Sequence, residues 1–404
     1  MKHARRTIMS ASLLSLVLLL CMGIQSALAG PVINISDDSF LMINYETQLY
    51  WQWRDTGSGP NNSGDTSDIF FRRNRLSLNG QVDDTYGFIF SIQQEGDNRI
   101  EDITVSNSRL ASKFDVLDAY VRADFTDYFR LRVGLTKDQL VRENIEGCFD
   151  PLSADRSLFI YTDLPRLDRD YGLVIWGNLL DAKLQYRLAA TRGDDTGNNP
   201  NSDLRYTGRV HVTLLDPESS LIYRGTYLGE KKVLTFGAGY QYQPGVVYGN
   251  LAASSLAKDY EAWTADGFFE YPTTAGTFTL SAAYLNEYFD NAYEGGDPDP
   301  RSVGENGQKK GWYSKAGYLL PNKIGPGKIQ LFGRFEQWKF AELTAGTFNQ
   351  KMNWGAAGVN YLLKGQDLRV TFQYSNTHFG VQDIVNPQNT KSFNTLTTML
   401  QFRF

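Results

Sequence analysis

Cysteine and histidine are scarce in this chain of 404 residues. The two cysteines are Cys21 and Cys148, and the chain has three histidines. Because Cys21 lies in the N-terminal leader described below, one cysteine remains in the exported chain. This excludes an intramolecular disulfide and a cysteine-based metal site. No C-x-x-C-H motif occurs, so the chain attaches no c-type haem, and the sequence predicts neither a cofactor nor a bound metal.

Long apolar runs and an excess of positive charge are also missing. Beyond the leader we find no run of about 18 apolar residues, which excludes spanning helices. Lys and Arg number 40 against 45 Asp and Glu, and this acidic balance argues against a nucleic-acid partner. Aromatic residues make up 13% of the chain, and 37 residues are glycine. This composition fits either a transmembrane barrel or a large secreted β-protein.

The N-terminus has the pattern of a secretory signal peptide. A basic start is followed by the apolar run Leu13–Met22, which is too short to cross a bilayer with polar flanks. The small-x-small sequence Ala-Leu-Ala then ends at Ala29. We expect cleavage between Ala29 and Gly30, so that residues 1–29 are the signal peptide and residues 30–404 form one exported domain.

The last ten residues alternate between a mostly apolar and a mostly polar face. Leu396, Leu400, Phe402 and Phe404 fall on one face of a strand, and Arg403 falls on the other with the remaining polar side chains. An aromatic C-terminal residue that ends such a strand is typical of bacterial outer-membrane barrels, whose last strand closes the cylinder. A half-buried strand of a soluble sandwich is the alternative at this point.

Segments with the same alternation recur along the whole exported chain. Short polar turns alternate with long polar connections, which is typical of a transmembrane antiparallel β-barrel with short periplasmic turns and long external loops. The all-β pattern includes Leu221–Leu228, and an even strand count requires one more strand near Val246–Ala253. The expected total is about 18 strands. A count of about 16 is the main competitor, in case two short segments form one strand or belong to a loop.

Arginine is frequent on these strands, and its position follows from the alternation. With Leu76, Leu78 and Leu117 facing the lipid, neighbouring arginines must face inward. An arginine on the lipid face near the bilayer centre costs about 2 to 4 kcal/mol. The same count along the other strands gives one inward-facing set: Arg73, Arg75, Arg122, Arg130, Arg132, Arg187, Arg205, Arg209, Arg334, Arg369 and Arg403.

Two interpretations of this arginine set stand side by side. A wall of fixed positive charge favours anions, and guanidinium groups fit oxyanions. Alternatively, the arginines brace the barrel by pairing with carboxylates that the same count places inside. Those carboxylates are Glu46, Glu95, Asp118, Asp124 and Glu336.

Four short motifs resemble a known family. The sequences FFRRNRLSLNG at Phe70–Gly80, LDAYV at Leu117–Val121, RVGLTK at Arg132–Lys137 and DYEAWTADGFFEYP at Asp259–Pro272 are similar to the phosphate-selective porin O/P family of Gram-negative bacteria. The resemblance implies a barrel in outer-membrane lipid that is inserted by the barrel-assembly machinery. It also implies a porin, commonly a homotrimer, that admits small anions.

The family's phosphate sites, as the resemblance implies, combine an arginine ladder with lysines of a constriction loop. The inward arginines at positions 73, 75, 122, 130 and 132 match the ladder. The long loop Asp138–Asp170 is the candidate constriction loop, and the sequence leaves open whether it folds into the lumen; it carries no lysine. The sequence therefore predicts a preference for phosphate or other oxyanions without specifying phosphate. The constriction candidates are the arginines of this loop: Arg142, Arg156, Arg166 and Arg169.

The function that the sequence favours is passive diffusion of small solutes, with an anion preference, through an outer-membrane porin. One alternative is a porin-like barrel that sheaths a multihaem cytochrome in an electron conduit. An open, empty lumen favours the sheath, whereas a lumen filled by Asp138–Asp170 favours a pore of its own. A remote alternative is a barrel hydrolase, for which Ser375 and His378 are the nearest candidates.

Overall fold

The computed structural model describes residues 30–94, 114–157, 169–193, 200–250, 253–288, 308–340, 350–380 and 391–404. The expected signal peptide, Glu95 and Arg166 lie outside these residues. No helix among the described residues is both long and apolar enough to cross a membrane.

A single antiparallel sheet closes on itself to form a barrel. A three-residue strand, β1 (Val32–Asn34), pairs only with the start of β2. The first half of the barrel comprises β2 (Phe40–Ser58), β3 (Gly64–Gln81), β4 (Tyr86–Gln94), β5 (Phe114–Thr126), β6 (Phe129–Lys137), β7 (Arg169–Leu179), β8 (Leu184–Thr191) and β9 (Arg205–Thr213). The second half comprises β10 (Val233–Asn250), β11 (Ser255–Thr273), β12 (Gly276–Tyr288), β13 (Gln308–Ile324), β14 (Gly327–Phe340), β15 (Gln350–Lys364), β16 (Leu368–Phe379) and β17 (Phe393–Arg403).

Sixteen strands of the described chain close the cylinder, which is one of the two counts that the sequence left open. Each strand from β2 onward pairs with the next, and β17 pairs back onto β2. The predicted all-β antiparallel barrel is therefore confirmed. Two segments differ from the prediction. Leu221–Leu228 lies in the connection between β9 and β10, and the start of Val246–Ala253 continues β10 beyond a bulge.

Short turns lie at one end of the barrel, here called the turn end, and most of the connections at the other, the loop end, are longer. Tight reversals at the turn end use backbone that favours glycine: Gly325 and Gly365 have φ of +63° and +54°. The exception at the turn end is residues 214–232, which join β9 to β10. This connection is much longer than its neighbours.

The outer wall is apolar and carries aromatic side chains near both rims. Membrane barrels place such aromatic girdles at the two interfaces of the bilayer, where the amphipathic rings are best solvated. Exposed aromatic side chains near the turn end are Tyr86, Phe125, Phe129, Phe278 and Phe404. Those nearer the loop end include Tyr206, Tyr240, Trp263 and Trp312.

The C-terminal residue takes part in barrel closure. The backbone N–H of Phe404 donates to the Tyr45 carbonyl, and the N–H of Tyr45 donates to the Phe404 carbonyl, both at 2.9 Å. In the preceding strand Leu396, Leu400 and Phe402 have the outward parity that the alternation predicts, and Gln401 is fully buried on the inner face. The seam between first and last barrel strands therefore ends on this aromatic residue.

Deletion of Phe404 is expected to impair assembly, because it removes both of these hydrogen bonds and the aromatic anchor at the rim. The measurement is the amount of heat-modifiable barrel in outer-membrane fractions. Phe404→Trp keeps the backbone pairing and the aromatic ring and should assemble normally. Normal barrel levels after the deletion would contradict the assigned role.

Candidate functional site

The inside of the barrel is densely charged. Since the outer wall faces lipid, the polar side chains of the strands turn inward. Among the buried charged side chains of the described residues, basic groups outnumber acidic ones, although the chain as a whole has a net charge of −5. The basic groups are Arg72, Arg73, Arg75, Arg132, Lys137, Arg142, Arg156, Arg169, Arg187, Arg205, Arg209, Lys309, Lys315, Arg334 and Arg369. The acidic groups are Asp138, Glu143, Glu146, Asp155, Asp170, Glu218, Asp266, Glu270, Glu287 and Glu336.

Residues 138–157, here called the inner loop, lie against this inner wall. The loop leaves β6 at the loop end, forms the one-turn helix α1 (Arg142–Ile145) and is buried along most of its length. On one side it reaches β3, where the carboxylate of Asp155 accepts hydrogen bonds from Arg72 Nε at 2.5 Å and Arg73 Nη2 at 2.7 Å.

The inner loop is also fastened to the other half of the barrel. Glu143 accepts a hydrogen bond from Arg334 Nη1 at 2.7 Å and lies 3.4 Å from Lys315 Nζ. Glu146 lies 3.2 Å from the same lysine. Because Arg334 and Lys315 belong to β14 and β13, the loop contacts opposite parts of the sheet and crosses the interior.

Inward amide, guanidinium and hydroxyl groups donate to several of the loop's backbone carbonyls. An irregular segment inside a barrel has unpaired carbonyl groups, and burying them without donors is costly. The donors come from β2, β15, β16 and β17. The bonds join Gln48 to Cys148 O, Gln401 to Phe149 O, Arg369 to Pro151 O, Asn360 to Leu152 O and Tyr50 to Ala154 O, at 2.8 to 3.2 Å.

Inward glycines make room for the loop's apolar side chains. A Cβ on Gly317 of β13 would lie 2.6 Å from Cδ1 of Leu152, and a Cβ on Gly239 of β10 would lie 3.1 Å from Cδ1 of Leu140. The wall is therefore shaped to hold the loop, since larger residues at these positions would displace it.

A second segment enters the interior from the turn end. In the connection between β9 and β10, Glu218, Tyr223 and Thr226 are each only 1% exposed. The backbone N–H of Gly147 in the inner loop donates to Tyr223 O at 2.9 Å. The N–H of Gly225 donates to Asp150 O at 3.0 Å. Segments from opposite ends of the barrel thus meet inside it.

The strongest contact between the two segments is a buried ion pair. Both guanidinium Nη atoms of Arg142 donate to the carboxylate of Glu218, at 2.7 and 2.8 Å. Burial alone would raise the pKa of Glu218, but Arg142 outweighs it and lowers that pKa to about 2. Burial would also lower the pKa of Arg142, and Glu218 reverses this shift, so the pair stays charged at neutral pH.

Most of the arginines predicted from the sequence face a carboxylate. Arg122, Arg130 and Arg132 gather near the turn end around Asp124, at 2.7, 3.8 and 2.8 Å, apart from the inner loop. The remaining pairs are Arg73 with Asp155, Arg75 with Glu46, Arg142 with Glu218, Arg169 with Asp118, Arg209 with Asp266, Arg334 with Glu143, and Arg403 with Asp150 and Asp367.

Four predicted arginines have other surroundings. Arg156 donates to Asn144 O at 2.9 Å, and Arg205 donates to Gln243 Oε1 at 3.1 Å. Arg187 and Arg369 donate only to neutral oxygens among the described residues. Arg187 bonds to Gln139 and Gln185, and Arg369 bonds to Gln366 and to loop carbonyls.

The sequence interpretation missed Arg72. A bulge in β3 pairs Gln48 with Arg73 and Leu49 with Phe71, so Arg72 and Arg73 both turn inward. A signal was present: the outward Phe71 and Leu76 are five positions apart, whereas strict alternation puts residues of one face an even number of positions apart.

Lysines beside the inner loop were also missed. Lys137, the last residue of β6, donates to the carbonyls of Asn144 and Glu146 at 2.7 and 2.8 Å. Its Nζ lies 3.9 Å from Sγ of Cys148. Burial raises the pKa of that thiol, but Arg156 and Lys137 outweigh this and hold the pKa well below its usual range.

Ser375 and His378, the nearest candidates for a hydrolytic pair, do not come together. Ser375 is buried on the inner face of β16, whereas His378 is exposed on the outer face and contacts Ser392 Oγ at 2.9 Å. Because strand alternation places the two side chains on opposite faces of β16, they do not form a pair of nucleophile and general base.

Asp155→Asn is expected to shift ion selectivity toward anions, because it removes a negative charge that faces two arginines. Weaker anchoring of the inner loop on β3 should also increase current noise. Both are measured on single channels in planar bilayers. Asp65→Asn is the matched control, because Asp65 accepts from Trp53 at the outer wall. An unchanged reversal potential in Asp155→Asn would contradict the assignment of Asp155 to the lining of the lumen.

Comparisons with known proteins agree with this architecture. A protein of Aquifex aeolicus, described as uncharacterized, is 21% identical over 323 residues, which is 75% of this chain and 74% of that protein. The anion-selective porin from Comamonas acidovorans superposes with a TM-score of 0.58 at 11% identity, covering 91% of this chain and all of that one. The channel DcaP of Acinetobacter baumannii gives 0.55 at 14% identity, covering 93% of this chain and all of that one.

A family match identifies the chain. Residues 43–404 match the family described as phosphate-selective porin O and P, which covers nearly the whole barrel. The match agrees with the closed antiparallel sheet, the aromatic rims and the charged interior. Because bacterial outer-membrane barrels have short periplasmic turns, the turn end is taken as the periplasmic end. The chain belongs to the phosphate-selective porin O and P family and is a porin channel of the outer membrane.

Proposed function

We propose that the channel passes small solutes passively and prefers anions. The observation that carries this proposal is the surplus of buried basic groups in the interior, which includes Arg187 and Arg369, for which no ion pair with a carboxylate occurs among the described residues. Arg187 and Arg369 are each at most 1% exposed, and their hydrogen bonds go to neutral oxygens. Neither arginine is paired directly with a carboxylate among the described residues, in contrast to pairs such as Arg209 with Asp266.

Electrostatics in a narrow lumen makes such a surplus effective. A fixed unit charge about 7 Å from a permeating ion contributes roughly 2 kcal/mol at an effective dielectric constant of about 20. The same interaction energy stabilises an anion in the lumen and destabilises a cation. Two uncompensated arginines at the inner loop are enough to bias permeation, whereas a compensated pair contributes little.

We further propose that phosphate and other oxyanions are among the preferred solutes. A guanidinium group presents two parallel N–H donors, which match two oxygens of a phosphate or carboxylate. Arg142 already holds the carboxylate of Glu218 in this way. Chloride lacks this geometry, so an oxyanion preference is distinguishable from a general anion preference.

The contents of the lumen favour a channel over the sheath of a multihaem cytochrome. The inner loop and the segment around Tyr223 occupy the interior and bond to one another, which leaves no wide, empty bore among the described residues for a folded haem protein. Small solutes must instead pass between the loop and the wall.

We also infer a homotrimer as the membrane assembly. Vibrio cholerae OmpT, a neighbour with a TM-score of 0.51, is described in a trimer form. On the outer wall of the present barrel, Asn74 donates to Gln94 across β3 and β4 at 3.1 Å. Polar groups facing lipid are costly, and a subunit interface would cover them. Native mass spectrometry in mild detergent tests this inference, and a monomeric mass would contradict it.

The double substitution of Arg187 and Arg369 by glutamine should reduce the anion-to-cation permeability ratio by about tenfold or more, because each charge contributes roughly 2 kcal/mol. The measurement is the reversal potential in a KCl gradient. The matched control is Arg187→Lys with Arg369→Lys, which retains both charges and should retain most of the preference. Equal ratios in the glutamine and lysine variants would contradict the proposal.

A further inference from the structure

Residues 217–229, here called the periplasmic segment, are unusual among the connections at the turn end. The other described turns there reverse the chain within a few residues, whereas this segment leaves the hairpin and enters the lumen. The hairpin itself continues briefly, since Asp216 N–H donates to Lys232 O at 2.7 Å. Everything between these two residues is extra chain, so its place inside the channel calls for a role beyond joining two strands.

The periplasmic segment is held to the barrel wall at several places, among them Glu270 and the surroundings of Tyr223. The carboxylate of Glu270 on β11 accepts from the backbone N–H groups of Tyr227 and Gly229 and from Thr226 Oγ1. The hydroxyl of Tyr223 donates to Gln185 Oε1 at 2.9 Å, and its ring lies under the guanidinium of Arg187 at 4.5 Å. These contacts attach the base of the segment and place Tyr223 beside an arginine of the proposed anion path.

One contact differs in kind from these, because it joins the segment to the inner loop through full charges. Glu218 presents two coplanar oxygens to Arg142, and the hydroxyl of Tyr227 donates to the same carboxylate at 2.7 Å. The arrangement is that of an arginine holding a carboxylate ligand. Glu218 therefore occupies the position that an oxyanion solute would take on Arg142.

We propose that the periplasmic segment is a gate, that Glu218 bound to Arg142 holds it closed, and that a permeating oxyanion opens it by replacing the Glu218 carboxylate. The trigger rests on the proposed oxyanion permeation, but the gate itself does not. Conductance in symmetric KCl reports the gate, and the reversal potential reports the selectivity, so the two claims can fail separately.

The first experiment compares Glu218→Gln with Glu230→Gln in planar bilayers. Glutamine keeps the shape of Glu218 but removes the charge-assisted pair, which should raise the ratio of open to closed time by roughly tenfold. Glu230 lies on the same connection in an exposed pair with Arg224, at 3.0 Å, and its substitution should leave gating as in the wild type. Unchanged gating in Glu218→Gln would overturn the proposal.

Added phosphate tests the trigger. In the wild-type channel, phosphate at constant ionic strength should increase the open fraction, whereas the same concentration of chloride should not. In Glu218→Gln the phosphate effect should be lost, because the internal competitor is gone. An equal phosphate effect in both proteins, or none in the wild type, would overturn the trigger.

A reversible cross-link gives a test within one protein. Glu146 and Tyr223 are bridge partners across the two segments, which brings their backbones within disulfide range. In Cys148→Ser carrying Glu146→Cys and Tyr223→Cys, oxidation should lock the low-conductance state and a reductant should release it. Identical conductance before and after reduction, with the disulfide verified by mass, would overturn the proposal.

Discussion

The constraint on which this structure depends is that charge cannot face the lipid. An arginine turned toward the bilayer centre costs about 2 to 4 kcal/mol, so the strands present apolar side chains outward and polar ones inward. The interior then collects more basic than acidic groups, although the chain as a whole is acidic. The carboxylates and the loops inside the barrel contact these basic groups.

The inner loop makes many of these contacts. Its carboxylates Asp155 and Glu143 face arginines on opposite parts of the wall, and its carbonyl groups accept from inward amides and from Arg369. A loop held at both sides keeps a fixed position in the lumen, as a selective constriction requires. Among the described residues no carboxylate of the loop forms an ion pair with Arg187 or Arg369, and the proposed anion preference rests on these two arginines.

The barrel and its family were accessible from the sequence because both depend on period-two alternation and on short motifs. The same alternation indicated which arginines turn inward. It failed where the backbone departs from regular pairing. The bulge at Arg72 adds an inward arginine, and a second bulge pairs Ser91 with Asp118 and Ile92 with Val116, which turns Leu117 inward although the alternation placed it toward lipid. Partners such as Glu218 for Arg142 are distant in sequence and could not be read from local patterns.

The anion preference that we propose depends on Arg187 and Arg369 at the inner loop. The most direct test is the zero-current potential of the wild-type channel in a planar bilayer with a KCl gradient, followed by replacement of chloride with phosphate on one side. We predict a potential close to the anion equilibrium value in KCl and measurable phosphate current after the exchange. A potential near the potassium equilibrium value would contradict it.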